Sequence, residues 1–194
     1  HQLTRRQRQM CIRDSIKDYT KMISMDLKEV DNLVLIIGKT EGHIDQSLFA
    51  RTILDEKNGP PPEVNLFNEK NNGESILNLI DKGYVKSAHD ISLGGLLVAI
   101  SKMCIKGNKG IKISKSKNLI NEIEYFFAED QGRYLIEVNK DDLKEVTKIL
   151  NKNSVHHEEL GIITQNDMII NEKTKVTIDE LKSYYTNWLS KYMS

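Results

Sequence analysis

Apolar and polar positions along the chain fall into short runs whose spacing predicts the elements. Residues 30–40, VDNLVLIIGKT, hold a continuous apolar, β-branched run closed by Gly38, the pattern of a buried strand. Residues 41–59, EGHIDQSLFARTILDEKNG, open as a polar turn. They continue with Leu48, Phe49, Ile53 and Leu54 at helical spacing and stop at Gly59. The following PPPEV contains all three prolines of the chain. Each ring removes an amide donor and fixes φ, so an extended connection is expected there. From Asn65 to about Lys82, Leu66, Ile76, Leu77, Leu79 and Ile80 among charged residues predict an amphipathic helix ending at Gly83.

YVKSAHD returns to strand character, and after Gly94 and Gly95 the segment LLVAISKMCIKG is apolar nearly all round, as in a buried helix. GIKI and RYLIEV (133–138) read as strands. KDDLKEVTKILNKN offers Leu143, Val146, Ile149 and Leu150 as one helical face, with Asp141 and Asp142 at its positive end. EELGIITQNDMIIN reads as two strands around a polar turn. TIDELKSYYTNWLSKYM reads as a final helix with Leu181, Tyr184, Tyr185, Trp188 and Leu189 inward and Thr177 as its cap. Strands and helices intermix without a strict βαβ rhythm, which predicts an α+β, or layered α/β, domain with a mixed sheet flanked by helices.

Composition narrows the function classes. Of 194 residues, 39% are hydrophobic and 29% charged, the balance of a globular protein rather than a disordered one. The formal net charge is zero, which argues against a nucleic-acid or membrane-surface partner. No apolar run approaches the roughly 20 residues that span a bilayer. Two cysteines are too few for a disulfide framework, and Cys104 sits in an apolar helical pattern as a reduced, buried thiol. The cytoplasm follows by default. The first fifteen residues differ from the rest: HQLTRRQRQMCIRDS carries four arginines against one aspartate and does not begin with Met. A basic arm or a transit peptide is one reading. The wording of a translated sequencing adapter joined in frame is the other, and residues 1–15 are set aside from the fold on that ground.

Three clusters carry candidate chemistry. In SAHDISLGGLLVAISKM, His89, Asp90, Ser92, Gly94 and Gly95 occupy a strand-to-helix turn. Free amides at a helix start, with glycines that admit close approach, suit an anion, and Ser92 is placed to cap that helix. The same features serve a plain tight turn, so both readings stand. In YFFAEDQGRYLIEV, Glu129, Asp130, Gln131, Gly132 and Arg133 precede a strand. The paired carboxylates suit a hydrated divalent cation, or else a Glu–Arg pair closes the turn. In GKTEGHIDQS, Gly42, His43, Gln46 and Ser47 lie between strand and helix, with Ser47 or Asp45 as a helix cap. HHEE (156–159) has the wrong spacing for zinc and reads as a solvated loop. No nucleophile–base–orienter triad can be assembled, so no catalytic residue and no metal ligand is assigned.

Together and in this order, the segments GKTEGHIDQS, NGPPPEVNL, SAHDISLGGLLVAISKM, FFAEDQGRYLIEV and LGIIT resemble the C-terminal domain of the phosphoribosylformylglycinamidine synthase subunit II family. The likeness runs from about residue 16 to the end. It implies a layered domain like the C-terminal domain of aminoimidazole ribonucleotide synthase over residues 31–194, the second B-type domain of a chain that alternates A- and B-type domains. Residues 16–30 are then the lead-in from a preceding A-type domain. The resemblance implies an ATP-dependent carbon–nitrogen ligase of de novo purine biosynthesis. It converts formylglycinamide ribonucleotide to formylglycinamidine ribonucleotide, with ATP and Mg2+ held chiefly by A-type domains. Ammonia comes from glutaminase and small accessory subunits. The segment alone is expected to be inactive. The resemblance implies that His89, Asp90, Ser92, Gly94 and Gly95, together with Glu129, Asp130, Gln131, Gly132 and Arg133, shape a nucleotide or phosphate cleft, or the interdomain surface, with Gly42, His43, Gln46 and Ser47 as weaker candidates. One departure is Leu93, where the family pattern carries an acid. Other ATP-dependent members of the same superfamily, or a free-standing binding or interaction module, are the alternatives.

Overall fold

The computed structural model describes residues 18–113 and 121–193, and the side chains of residues 188–191 are not described. The amino-terminal tail therefore lies outside the described residues, as do the expected inward positions of Trp188 and Leu189. Seven strands form one mixed sheet: β1 Leu33–Ile37, β2 Val85–Asp90, β3 Gly110–Ile113, β4 Tyr134–Val138, β5 His157–Thr164, β6 Asp167–Ile170 and β7 Thr174–Thr177. The spatial order is β2-β4-β1-β5-β3-β6-β7, and among the described residues the β3–β6 pair is parallel and the other pairs antiparallel. Among the described residues six α-helices accompany it: α1 Leu48–Thr52, α2 Leu66–Asp81, α3 Gly95–Gly107, α4 Glu122–Phe127, α5 Leu143–Lys152 and α6 Ile178–Met193. The α+β architecture with a mixed, helix-flanked sheet is the one the sequence pattern implied.

The unbroken apolar run of β1 has a structural cause. Val34 and Ile36 point into a core with α3, α4 and α6, while Leu33, Leu35 and Ile37 point into a second core with α2 and α5. A strand covered on both faces loses the polar alternation of a half-exposed one. Strands β5 and β6 are joined by a short turn yet do not pair, since β3 lies between them.

Below this frame sits a buried carboxylate. Glu137 of β4 is fully buried and accepts from Lys28 N at 2.8 Å, Glu29 N at 3.0 Å, Asn32 Nδ2 at 2.7 Å and Ser87 Oγ at 2.9 Å. Four donors compensate the desolvation of that group and fasten residues 28–32 to the sheet.

Some expectations fail in instructive ways. The helix expected to run to Gly59 is only α1, because Asp55 turns left-handed (φ 55°) and Glu56 N bonds back to Ala50 O. Ile53 and Leu54 are consequently exposed. Helix α2 spans its expected range, but Leu66 and Leu77 face outward while Asn72 and Ser75 are buried. Tyr184 and Tyr185 are exposed, because α6 meets the core through Ile178 and Leu181. The HHEE segment is strand, not loop, since His157, Glu158 and Glu159 pair with Ile37, Ile36 and Leu35 of β1. Strand β7 and helix α4, too short to show a period, were not legible beforehand.

Candidate functional site

The three clusters meet around the loop that leads into β4. Asp130, almost fully buried, accepts backbone amides of the GKTEGHIDQS cluster: Glu41 N and Gly42 N on Oδ2 at 3.1 and 3.2 Å, and His43 N on Oδ1 at 3.0 Å. Glu129 Oε1 accepts from Leu48 N at 2.7 Å, at the start of α1, and from Gly94 N at 2.8 Å, just before α3. The two acids are thus clamps for the turns of the other clusters. Each adds negative charge where unpaired helical or turn amides converge. A cation at this pair would have to displace amide donors, so the arrangement does not fit a magnesium site. Among the described residues no group of three His, Cys, Asp or Glu is placed to hold a metal.

Arg133 lies behind the clamps, fully buried. It donates to Thr40 Oγ1 at 3.0 Å and to Ala128 O at 2.6 Å, with Asp130 Oδ2 3.6 Å away. Burial pushes its guanidinium pKa down, opposed by the Asp130 charge. The expected Glu–Arg pair is therefore an Asp130–Arg133 pair. Gly132 is left-handed (φ 65°), and its carbonyl accepts from Asn72 Nδ2 at 2.9 Å.

In the SAHDISLGG turn, His89 Nδ1 lies 3.0 Å from Asp90 Oδ1. Burial raises the Asp90 pKa, but the Ser92 hydroxyl, the residue's own amide and His89 outweigh it and hold the carboxyl below its usual range. Ser92 does not cap α3 through its side chain: Glu129 takes the Gly94 amide, and Gly95 N bonds the Ser92 carbonyl at 2.9 Å. Gly95 is required by contact as well as by its φ of 72°, since a Cβ there would lie 2.7 Å from the Phe127 backbone. The turn seats α3 closely on residues 127–128. In the GKTEGHIDQS cluster, Ser47 caps α1 by accepting from Ala50 N at 3.1 Å, as its position suggested. His43 Nε2 reaches Pro60 O at 3.1 Å, and Gln46 Nε2 donates to Lys57 O and Gly59 O at 2.9 and 3.1 Å. These two side chains hold the proline segment in place.

The result is a polar cleft of about 600 Å³. One wall is the chain from Gly38 to His43, another is Asp130–Gly132, and Pro62 and Glu63 close a third side. The remainder is the start of α2, where Asn65, Asn68, Glu69 and Asn72 share a face, with Ser154 and His156 opposite. Of the residues singled out from the sequence, Gly42, His43, Asp130, Gln131 and Gly132 line this cleft. His89, Asp90, Ser92, Gly94 and Gly95 do not; they lie across the Glu129 carboxylate from it. The α2 wall escaped the sequence reading, although its signal was present as polar residues at i, i+3, i+4 and i+7.

Residues 29–171 match the family described as AIR synthase related protein, C-terminal domain. The chain belongs to that family. It is 66% identical over 178 residues to the phosphoribosylformylglycinamidine synthase subunit PurL of Pelagibacter ubique, a match covering 92% of this chain and 24% of that one. The chain thus spans about a quarter of the length of the curated relatives it matches. Solved structures of Thermotoga maritima PurL complexed with FGAR, complexed with ATP, and in a PurLQS assembly superpose with TM-scores of 0.68, 0.63 and 0.64. They are 17 to 19% identical, and the matches cover 84% of this chain and 27 to 29% of theirs. At that identity the family likeness is one of fold, and it agrees with the sheet and helix layers described above. Among the described residues no helix is long and apolar enough to cross a membrane.

Proposed function

We propose that this chain is the C-terminal portion of a phosphoribosylformylglycinamidine synthase subunit and works only as part of it. The observation that carries this reading is the 66% identity to Pelagibacter ubique PurL across nearly the whole chain. In this reading residues 31–194 are the B-type domain and 16–30 lead in from an A-type domain. The parent converts formylglycinamide ribonucleotide to formylglycinamidine ribonucleotide in the cytoplasm, using ATP, Mg2+ and ammonia from glutaminase and accessory subunits. The solved complex with ATP and the PurLQS assembly support the nucleotide and the partner subunits.

The chain's own contribution is positional. Glu129 accepts two backbone amides on Oε1 and Asp130 accepts three on its two oxygens, so they set the shape of the cleft rather than hold a metal. The cleft wall at Gly38–His43 and Asp130–Gly132 then presents a fixed polar surface to the A-type domain. Phosphoryl transfer depends on positioning and charge neutralisation supplied elsewhere in the subunit, so the chain alone is expected to show no saturable micromolar binding of ATP. The test is reconstitution: Pelagibacter ubique PurL lacking its final quarter is mixed with this chain, and ammonia- and ATP-dependent amidine formation is measured. Recovery of activity is expected. No recovery, where the parent's own C-terminal piece restores it, refutes the proposal.

A further inference from the structure

A second groove, of about 300 Å³, lies between the C-terminal half of α2 and helix α5. Helix α5 runs back alongside α2. The carbonyl of its capping residue Asn153 accepts from Asn71 Nδ2 at 2.6 Å, and the Asn153 amide donates to Ser75 Oγ at 3.0 Å. Two pairs at i,i+4 spacing line the groove: Asn78 and Lys82 from α2 and its cap, and Lys148 and Lys152 from α5. Tyr84 and Ile149, both packed against the second core, complete it.

Three ammonium groups face one carboxylate here. Lys148 sits 3.7 Å from Glu145 with both side chains largely in solvent, a pair that contributes little. Among the described residues, neither Lys82 nor Lys152 joins an ion pair. Lysines at helix ends often serve the last carbonyls. Here backbone amides already do so: Lys82 N and Gly83 N bond Asn78 O and Ile80 O, while Asn153 N and Ser154 N bond Ile149 O and Asn151 O. Among the described residues the Lys82 and Lys152 ammonium groups are thus uncommitted, and Lys148 holds only its solvent-exposed pair with Glu145.

We propose that this groove binds a small phosphorylated anion. Ammonium groups act as point charges toward phosphoryl oxygens, and the Asn78 amide and Tyr84 phenol supply neutral donors beside them. The volume suits a ligand the size of a phosphate ester rather than a large cofactor. This site is separate from the polar cleft and does not depend on the synthase reading.

The test is a titration of the 194-residue chain with inorganic pyrophosphate at constant ionic strength, followed by amide correlation spectra. Saturable shifts are expected at Lys82, Tyr84, Lys148, Lys152 and Asn153, with none at Gly42 or Gly132. Lys82→Gln and Lys152→Gln each weaken binding about two- to fivefold, and the double variant about tenfold, with the thermal midpoint unchanged. Glu145→Gln strengthens binding. The proposal is overturned by an absence of shifts, by shifts that do not saturate or that chloride reproduces, by saturable shifts confined to the cleft, or by binding that survives the double substitution.

Discussion

Replacing Asp130 by Asn tests the clamp at its most buried point. The carboxylate accepts three amides with its two oxygens and lies 3.6 Å from a guanidinium that is shut off from solvent. An Asn side chain keeps one acceptor. If its oxygen stays with Glu41 and Gly42, its NH2 turns toward the His43 N–H, and two donors face each other. Losing one charge-assisted bond and leaving a donor unmet costs about 1–3 kcal/mol. Removing the counter-charge of a buried cation costs about 3–5 kcal/mol when nothing replaces it. Here Thr40 Oγ1 and Ala128 O still accept from Arg133, so the two effects overlap and the expected loss is about 3–5 kcal/mol in all. Urea unfolding followed by circular dichroism measures it for Asp130→Asn, Arg133→Met and the double variant. The double variant is expected to fall short of the summed losses by about 2 kcal/mol, because removing the buried cation also removes its need for a counter-charge. A single-variant loss below about 1 kcal/mol, or strict additivity, would refute the coupling between clamp and guanidinium.

Two glycines separate space from backbone conformation. Gly95→Ala is expected to cost about 3 kcal/mol or more, since φ is positive and the new Cβ meets the backbone of residues 127 and 128. Gly73→Ala, inside α2 with nothing within 4 Å, is expected to stabilise by about 0.5–1 kcal/mol, and equal effects in a melt would contradict both arguments. Burial pushes the Cys104 thiol up to about 12, so mass mapping after iodoacetamide at pH 8 should leave its peptide unmodified until the chain is denatured. The Lys28 ammonium, and then the Ser24 hydroxyl, hold the Asp26 carboxyl down to about 2. With the folded pKa below the unfolded one, this contribution is whole above about pH 4 and lost as pH falls toward 2. Carboxyl titration by NMR should show a midpoint near 2 that Lys28→Met moves toward the ordinary range; a midpoint near 4 in the unaltered chain would refute the pairing.

What was legible in the sequence follows a physical divide. Strand β1 was readable because burial on both faces leaves an unbroken apolar run, and helix α3 because its buried face and its half-buried flank are both largely apolar. Ser47 was readable as a cap because capping is a local bond between neighbours. Glu129 and Asp130 were singled out by position, with a cation and a Glu–Arg pair both left open, but the amides they accept were not readable. A carboxylate pair looks the same in sequence whether it meets a cation or five backbone amides, and those amides come from residues 35 to 89 positions away. Helix α2 was found from its apolar positions, which concealed that its polar stripe faces a cleft while Leu66 and Leu77 face outward. The turn at His89–Gly95 was readable either as an anion-binding helix start or as a plain tight turn, and the structure gives the Gly94 amide to Glu129.

The central claim is that this domain offers a preformed cleft to the rest of a synthase subunit. Hydrogen exchange, with and without Pelagibacter ubique PurL lacking its final quarter, tests it most directly. Complex formation with new protection at residues 39–43, 62–69 and 130–132, and little change at β3, β6 and β7, is the predicted result. Failure to associate, or association that leaves those three segments exchanging as before, would contradict it.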